Sequence, residues 1–182
     1  MRSDDESREP DWQPTLEGER ISLRPMRPED LDPLHAAASD PLTWAQHSAR
    51  DRHQRAVFES YFAGAMACGG ALVAIERLSG RIIGASRYYG WNPTDCSVIV
   101  GYTFVERSHW GTGTNREMKR LMLDHAFRWA RVVWFHVSPG NAPSQRALER
   151  IGARLHDRQD IDVDGTPSTR LIYAIRPGEF RS

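Results

Sequence analysis

Gly111 and Gly113 stand at the sharpest change of texture in the chain. Residues 96–105 before them read as a strand, and residues 113–130 after them carry apolar side chains at helical spacing. The run Val132-Val133-Trp134-Phe135-His136-Val137 is strand-like again. Strand, glycine turn, helix and strand make one β-α-β crossover. Such a junction gathers unpaired main-chain N–H groups and the positive end of a helix dipole in one small volume.

The other segments arrange themselves around that crossover. Residues 20–24 alternate apolar and polar side chains until Pro25 ends the strand. Pro28-Glu29-Asp30 opens a helix that runs to Ala38 and breaks at Ser39-Asp40-Pro41. A second helix is predicted over 52–66. Gly69-Gly70 then turns the chain into two strands, 71–75 and 82–89, joined at Ser79-Gly80. Beyond the crossover, 143–151 reads as a short helix stopped by Gly152. Residues 154–163 and 168–175 read as two strands meeting at Asp164-Gly165. The expected order is β-α-α-β-β-β-α-β-α-β-β, an α+β domain whose antiparallel meander feeds the crossover.

Composition narrows the function. Lys plus Arg number 24 and Asp plus Glu number 24, so no whole-protein field draws a polyanion, and nucleic acid is not an expected partner. No apolar run approaches bilayer-spanning length, so neither is a membrane. Residues 1–14 are acidic and polar and read as a disordered tail without a leader pattern, leaving 15–182 as one domain. Cys68 and Cys96 lack the spacing of a disulfide framework or zinc site, and a reducing cytoplasm is the expected home.

The glycine pair lets a ligand approach the main chain closely. In the first helical turns Arg116, Lys119 and Arg120 outnumber Glu117, the reverse of what a ligand-free helix start prefers. A phosphate beside the loop accounts for that balance; a plain turn followed by a solvated helix face is the other reading. Two familiar phosphate loops are excluded. The Walker pattern needs Lys-Ser/Thr where Thr114-Asn115 stand, and the dinucleotide fingerprint needs a third glycine where Arg116 stands.

Three segments together resemble the GNAT superfamily of acyl-CoA N-acyltransferases, and within it the branch of ribosomal-protein N-terminal (Rim-type) acetyltransferases. They are Leu23-Arg24-Pro25 with Pro28-Glu29-Asp30-Leu31, then Val100-Gly101-Tyr102 running into Trp110-Gly111-Thr112-Gly113, then Asn141-Ala142-Pro143-Ser144 with Ala147-Leu148-Glu149-Arg150-Ile151-Gly152. They span most of residues 16–176. The family's loop motif, Gln/Arg-x-x-Gly-x-Gly/Ala, falls on Trp110, Gly113 and Asn115, so both outer positions depart from it. Asn115 either bonds a phosphate or caps the helix.

The resemblance implies a mixed, mostly antiparallel central sheet flanked by helices, with acetyl-CoA as the acyl donor and no metal. It implies that main chain at Thr103, Phe104 and Val105 splays from its neighbour to pair with the pantetheine arm. A free N–H there would face the thioester carbonyl. Trp110, Gly111, Thr112, Gly113, Thr114, Asn115 and Arg116 would surround the pyrophosphate, Asn141 would bond the amide region, and Ser144 would lie near the sulfur. The implied activity is transfer of an acetyl group to a primary amine, a protein N-terminal α-amine or a small-molecule amine, by direct attack in a ternary complex. A non-catalytic acyl-CoA-binding regulator and a transferase using another donor such as succinyl-CoA are the alternatives; a homodimer is compatible with all three.

Amide formation needs a neutral amine, and an alkylamine with a pKa near ~10 is protonated at neutral pH. Glu106, at the strand end beside the loop, is the first candidate base and His109 the second; Glu106 is otherwise a solvated loop carboxylate. Ser144 is the candidate acid for the leaving thiolate, or else bonds locally in the first turn of its helix. Asp160-Ile161-Asp162-Val163-Asp164-Gly165 copies the opening of a calcium loop, but Leu171 stands where a bidentate Glu is needed. Of the aromatics Trp44, Tyr61, Phe62, Tyr88, Tyr89 and Trp91, most are expected in the core and some at an acceptor pocket.

Overall fold

The computed structural model describes residues 9–163 and 165–181. The strands are β1 (Leu16–Glu17), β2 (Ile21–Pro25), β3 (Ala71–Glu76), β4 (Ile82–Asn92), β5 (Ser97–Val105), β6 (Val132–Val137), β7 (Arg154–Val163) and β8 (Thr166–Ile175). The helices are α1 (Leu31–Ala38), α2 (Arg55–Ala67), α3 (Thr114–Ala126) and α4 (Ala142–Arg150). The strands form one sheet in the order β1-β2-β3-β4-β5-β6-β8-β7. Every neighbouring pair is antiparallel except β5–β6, which is parallel, as the crossover through α3 requires. The expected α+β order stands, with the two-residue β1 added ahead of it. No helix among the described residues is long and apolar enough to cross a membrane.

Each face of the sheet buries its own core. Met118, Leu121, Met122 and Ala126 recur at three- and four-residue spacing, so α3 lays one apolar stripe against Val98, Val100, Val133 and Phe135. On the other face, Leu34 of α1 and Phe58, Tyr61, Phe62 and Ala65 of α2 pack on Val73, Ala85 and Phe104. Trp44, in the connection from α1 to α2, is 1% exposed, lies against Phe104 and donates its indole N–H to the Ala38 carbonyl (2.8 Å).

A bulge in β5 links the two cores. Ala85 lies opposite Phe104 but Arg87 opposite Gly101, so β5 carries one more residue than β4 over this stretch. Tyr102 absorbs the excess at φ 52°, a left-handed conformation costing a non-glycine residue of order 1 kcal/mol or more. It is held there by the Tyr61 hydroxyl, which donates to its carbonyl (2.9 Å), and by the Arg87 guanidinium 3.8 Å from its ring centroid. Below the bulge Val98 and Val100 face α3; above it the parity flips, and Val105 faces α3 while Phe104 faces α2.

The amino-terminal segment departs from the expected tail. Residues 1–8 lie outside the described residues, but Trp12 packs among Tyr88, Trp91 and Trp129 (5.2, 5.3 and 5.9 Å between ring centroids). His125 Nε2 lies 2.6 Å from the Asp11 carbonyl. A single tryptophan among polar residues has no periodicity to reveal such docking. Of the expected turn between the last two strands, Asp164 lies outside the described residues and Gly165 has φ 81°.

Candidate active site

The sheet opens where the crossover begins. β5 and β6 pair only at Ser97–Val132, Val98–Val133 and Ile99–Trp134. Past that point β5 runs on to Val105 and β6 to Val137 without pairing to each other. Thr103, Phe104 and Val105 thus lie on a strand whose β6-side edge is unpaired, with the bulge at Tyr102 directly before them. The indole of Trp110, itself half exposed, reaches back to donate to the Val105 carbonyl (2.9 Å).

The loop between β5 and α3 is rich in free donors. Gly111 and Gly113 adopt φ 75° and 89°, which turns the chain sharply into the helix. From Gly111 through Arg116, no main-chain N–H donates to another described residue. A Cβ placed on Gly111 meets nothing within 4 Å, and one on Gly113 lies 3.2 Å from Arg20 Nη1. Thr112 is tied inward, its hydroxyl donating to the His109 carbonyl (2.7 Å) and lying 2.8 Å from Thr114 Oγ1. The Asn115 Oδ1 is buried without a hydrogen-bond partner among the described residues. A half-turn of that amide exchanges the oxygen for an N–H. Consecutive free N–H groups at a helix start, open space at Gly111 and an unsatisfied amide fit a pyrophosphate.

The side-chain charges of α3 are used differently from the sequence expectation. Arg116 donates to the Arg181 carbonyl (2.8 Å), and Arg120 pairs with Asp124. Glu117 accepts from the main-chain N–H groups of Glu19 and Arg20, pinning the β1–β2 turn against the loop. Lys119 points inward and is 8% exposed. Its ammonium donates to Thr103 Oγ1 of β5 (3.1 Å) and lies 5.0 Å from the Phe135 ring centroid on β6, so it bridges the splay. Ser86 Oγ extends the chain, 2.8 Å from Thr103 Oγ1. Burial without a carboxylate pushes Lys119 down to about 8. The helical spacing of Asn115, Lys119 and Met122 was the available clue, because it sets a lysine within the buried stripe.

The second lip of the cleft is the start of α4. Asn141 caps it, its Oδ1 accepting from the Ser144 N–H (3.2 Å), while the Ser144 hydroxyl makes no hydrogen bond to another described residue. Glu106 directly follows β5, at the strand end beside the loop. Its carboxylate accepts from Arg81 Nη2 at 3.2 and 3.3 Å and lies 3.7 Å from His109 Nδ1. His109 Nε2 is 3.1 Å from Glu76. A depression of about 420 Å³ beside Glu106 is walled by the end of α1, and a second of about 380 Å³ by Arg24, Arg81 and their neighbours; neither is lined by β6 or α3.

Opposite α3, the connection from α1 to α2 covers a cationic, aromatic surface. Arg87 sits against the rings of Tyr61 and Tyr102, and Arg52 lies over those of Trp44, Tyr61 and Tyr102. Tyr89 packs on Tyr102 at 5.4 Å. Arg170 of β8 reaches Ser48 in the connection (3.4 Å). Burial, then the charge of Arg52, pushes His47 down to about 4; burial and Arg170 lower His136. The expected acceptor aromatics divide: Tyr61 and Tyr89 face this surface, while Tyr88 donates its hydroxyl to the Met122 carbonyl in the α3 core (2.7 Å).

Comparison with known proteins bears on this geometry. The family described as the acetyltransferase (GNAT) domain matches residues 20–154. No curated protein matches the sequence. Among solved structures, a GNAT-family protein from Chromobacterium violaceum is similar at TM-score 0.80 and 19% identity, covering 98% of this chain and 95% of its own. A GCN5-related N-acetyltransferase from Brucella melitensis gives TM-score 0.77 at 21% identity, covering 92% and 80%. Mycobacterium smegmatis RimJ in complex with CoA-disulfide gives 0.71 at 23%, covering 93% and 90%. The chain belongs to the GNAT acetyltransferase family and is an acyl-CoA-dependent N-acetyltransferase.

Proposed function

We propose that this protein moves an acetyl group from acetyl-CoA to a primary amine by direct attack in a ternary complex, in a reducing cytoplasm. The carrying observation is the pair formed by the unpaired β5 edge and the free N–H groups of residues 111–116 at the same end of the sheet. The donor supplies the acyl carbon and a thiolate leaving group. The N–H groups and Asn115 hold its pyrophosphate, with Trp110 and Thr112 shaping the loop. The edge of Thr103, Phe104 and Val105 aligns the pantetheine arm, and Asn141 bonds its amide region. An N–H freed at the bulge stabilises negative charge on the carbonyl oxygen.

The amine reaches the cleft from the α1–α2 side. An ammonium loses one proton, its nitrogen bonds to the acyl carbon, and the C–S bond breaks with its electron pair going to sulfur. The nitrogen then sheds a second proton and sulfur takes one. The balance is ammonium plus thioester to amide, thiol and one proton. Glu106 serves as base through water, because Arg81 already occupies its carboxylate. Ser144, with its uncommitted hydroxyl, protonates the sulfur. A protein N-terminus and a small amine both remain in the acceptor class.

The test is calorimetric titration with CoA followed by measurement of free thiol released from acetyl-CoA over a panel of amines and peptides. Binding with acceptor-dependent release supports the reading. Binding without release on any acceptor identifies a silent binder, and absence of binding removes the assigned loop.

A further inference from the structure

Arg87 and Arg170 are 6% and 8% exposed, and no described carboxylate lies within 4 Å of either. A guanidinium stays charged at any physiological pH, and burying one without a counter-ion costs several kcal/mol. Their protein partners are few and neutral. Arg87 donates to the Tyr61 carbonyl (3.4 Å) and leans on two rings. Arg170 donates to the Ser168 hydroxyl, the Thr169 carbonyl (3.1 Å) and Ser48 Oγ (3.4 Å). Most of their ten N–H donors face no acceptor charge.

Their placement matters more than their number. Arg87 belongs to β4 and Arg170 to β8, so the opening between β5 and β6 lies between them. Only β5 and β6 separate their strands, and the unpaired seam between those two leaves room for an anion between the guanidinium groups. Both arginines lie on the sheet face away from α3, beneath the α1–α2 connection. Tyr89 lies within the influence of both: burial and Tyr102 raise its hydroxyl, while Arg87 and Arg170 oppose that. The neighbouring histidines, His47 and His136, are held neutral and add no further charge.

We propose that the acceptor amine carries an oxyanion, a carboxylate or a phosphate, seated between Arg87 and Arg170. This rests on the acyl-transfer reading above. The anion belongs to the acceptor rather than the donor because it sits across the sheet from the loop of residues 111–116. Two positive groups beside the cleft also lower the proton affinity of an adjacent ammonium, which eases formation of the attacking amine.

The experiment has two arms, both read as thiol release. In the first, acetyl-CoA is offered free amino acids against their carboxamides, and phosphoethanolamine against ethanolamine. The expected result is a kcat/KM for the anionic member of at least one pair about 10- to 100-fold above its neutral partner, the factor for a charge-assisted hydrogen bond. In R170Q that ratio falls to near one while CoA affinity by calorimetry is unchanged, and R87Q lowers the ratio as well. The wild-type ratios stand even if a variant fails to fold. In the second arm, succinyl-CoA is compared with acetyl-CoA on butylamine; a succinyl preference that R87Q abolishes puts the anion on the acyl chain and overturns the proposal. Equal rates for anionic and neutral amines overturn it too, leaving acyl transfer intact. Loss of CoA binding in the wild type instead defeats the acyl-transfer reading itself.

Discussion

Replacing Lys119 by Met should stabilise the protein at neutral pH. The ammonium is moved from 10.5 to about 8 by burial alone, which at 1.36 kcal/mol per tenfold change in proton affinity is about 3 kcal/mol. Removing the lysine forfeits the bond to Thr103, worth about 1 kcal/mol, although Thr103 keeps its contact with Ser86. The net gain is about 2 kcal/mol, and for a chain of this length about 4–8 °C in Tm. The sign with pH follows from the depressed folded value. Below about pH 8 both states hold the proton and the full penalty applies. Between 8 and 10.5 only the unfolded state holds it, so wild-type stability rises with pH relative to the variant. Thermal melts of both proteins from pH 6.5 to 10.5 measure the difference, which isolates Lys119 from other titrating groups. The expected gap is widest below pH 8 and closes above it. A variant less stable throughout, or a gap that ignores pH, refutes the claim that the lysine is an uncompensated buried charge.

The remaining perturbations address the cleft and one ion pair. Gly113→Val places a branched side chain at φ 89° beside Arg20 and should weaken CoA binding more than tenfold by calorimetry; Gly111→Ala, where a Cβ meets nothing within 4 Å, should weaken it less. Equal affinity in all three proteins would count against the loop. Ser144→Ala should lower kcat about tenfold, less than acid catalysis usually contributes because the thiolate is a good leaving group, and leave CoA affinity unchanged. Full activity in stopped-flow thiol assays removes the hydroxyl from the reaction. Asp30 is 2% exposed and accepts both Arg24 guanidinium nitrogens at 2.7 Å and the Arg27 N–H at 2.8 Å. Burial alone would raise its carboxyl, but the Arg24 bond and the Arg27 N–H bring it below the ordinary value. Asp30→Asn should therefore cost about 2 kcal/mol at pH 7, a deficit that shrinks only as pH falls through the ordinary Asp range near 4 toward the lower folded value. A deficit unchanged at pH 3 would contradict that assignment.

Long periodic segments were legible from the residues. The stripe of α3 and the meander that feeds it have patterns that no packing detail reverses, and the glycine turn between them locates the donor-rich loop. The bulge was not legible, because Tyr102 is no turn residue and its left-handed backbone depends on Tyr61 and Arg87 from other elements. Arg87 and Arg170 give no signal in the sequence, and Lys119 reads there as a cation beside a phosphate rather than a buried one, for a related reason: a charge in a strand or helix reads as surface unless its neighbours across the sheet are known. The position of Glu106 was anticipated, but its engagement by Arg81 was not, since that partner is 25 residues away in sequence.

The open seam between β5 and β6 leaves the sheet as two wings joined by three residue pairs and strapped by helices. A molecule that threads the seam and supplies the absent hydrogen bonds acts as a guest strand. Its affinity and the rigidity of the folded chain then become one quantity, so the protein should be most resistant to heat and protease when it is loaded and ready to react.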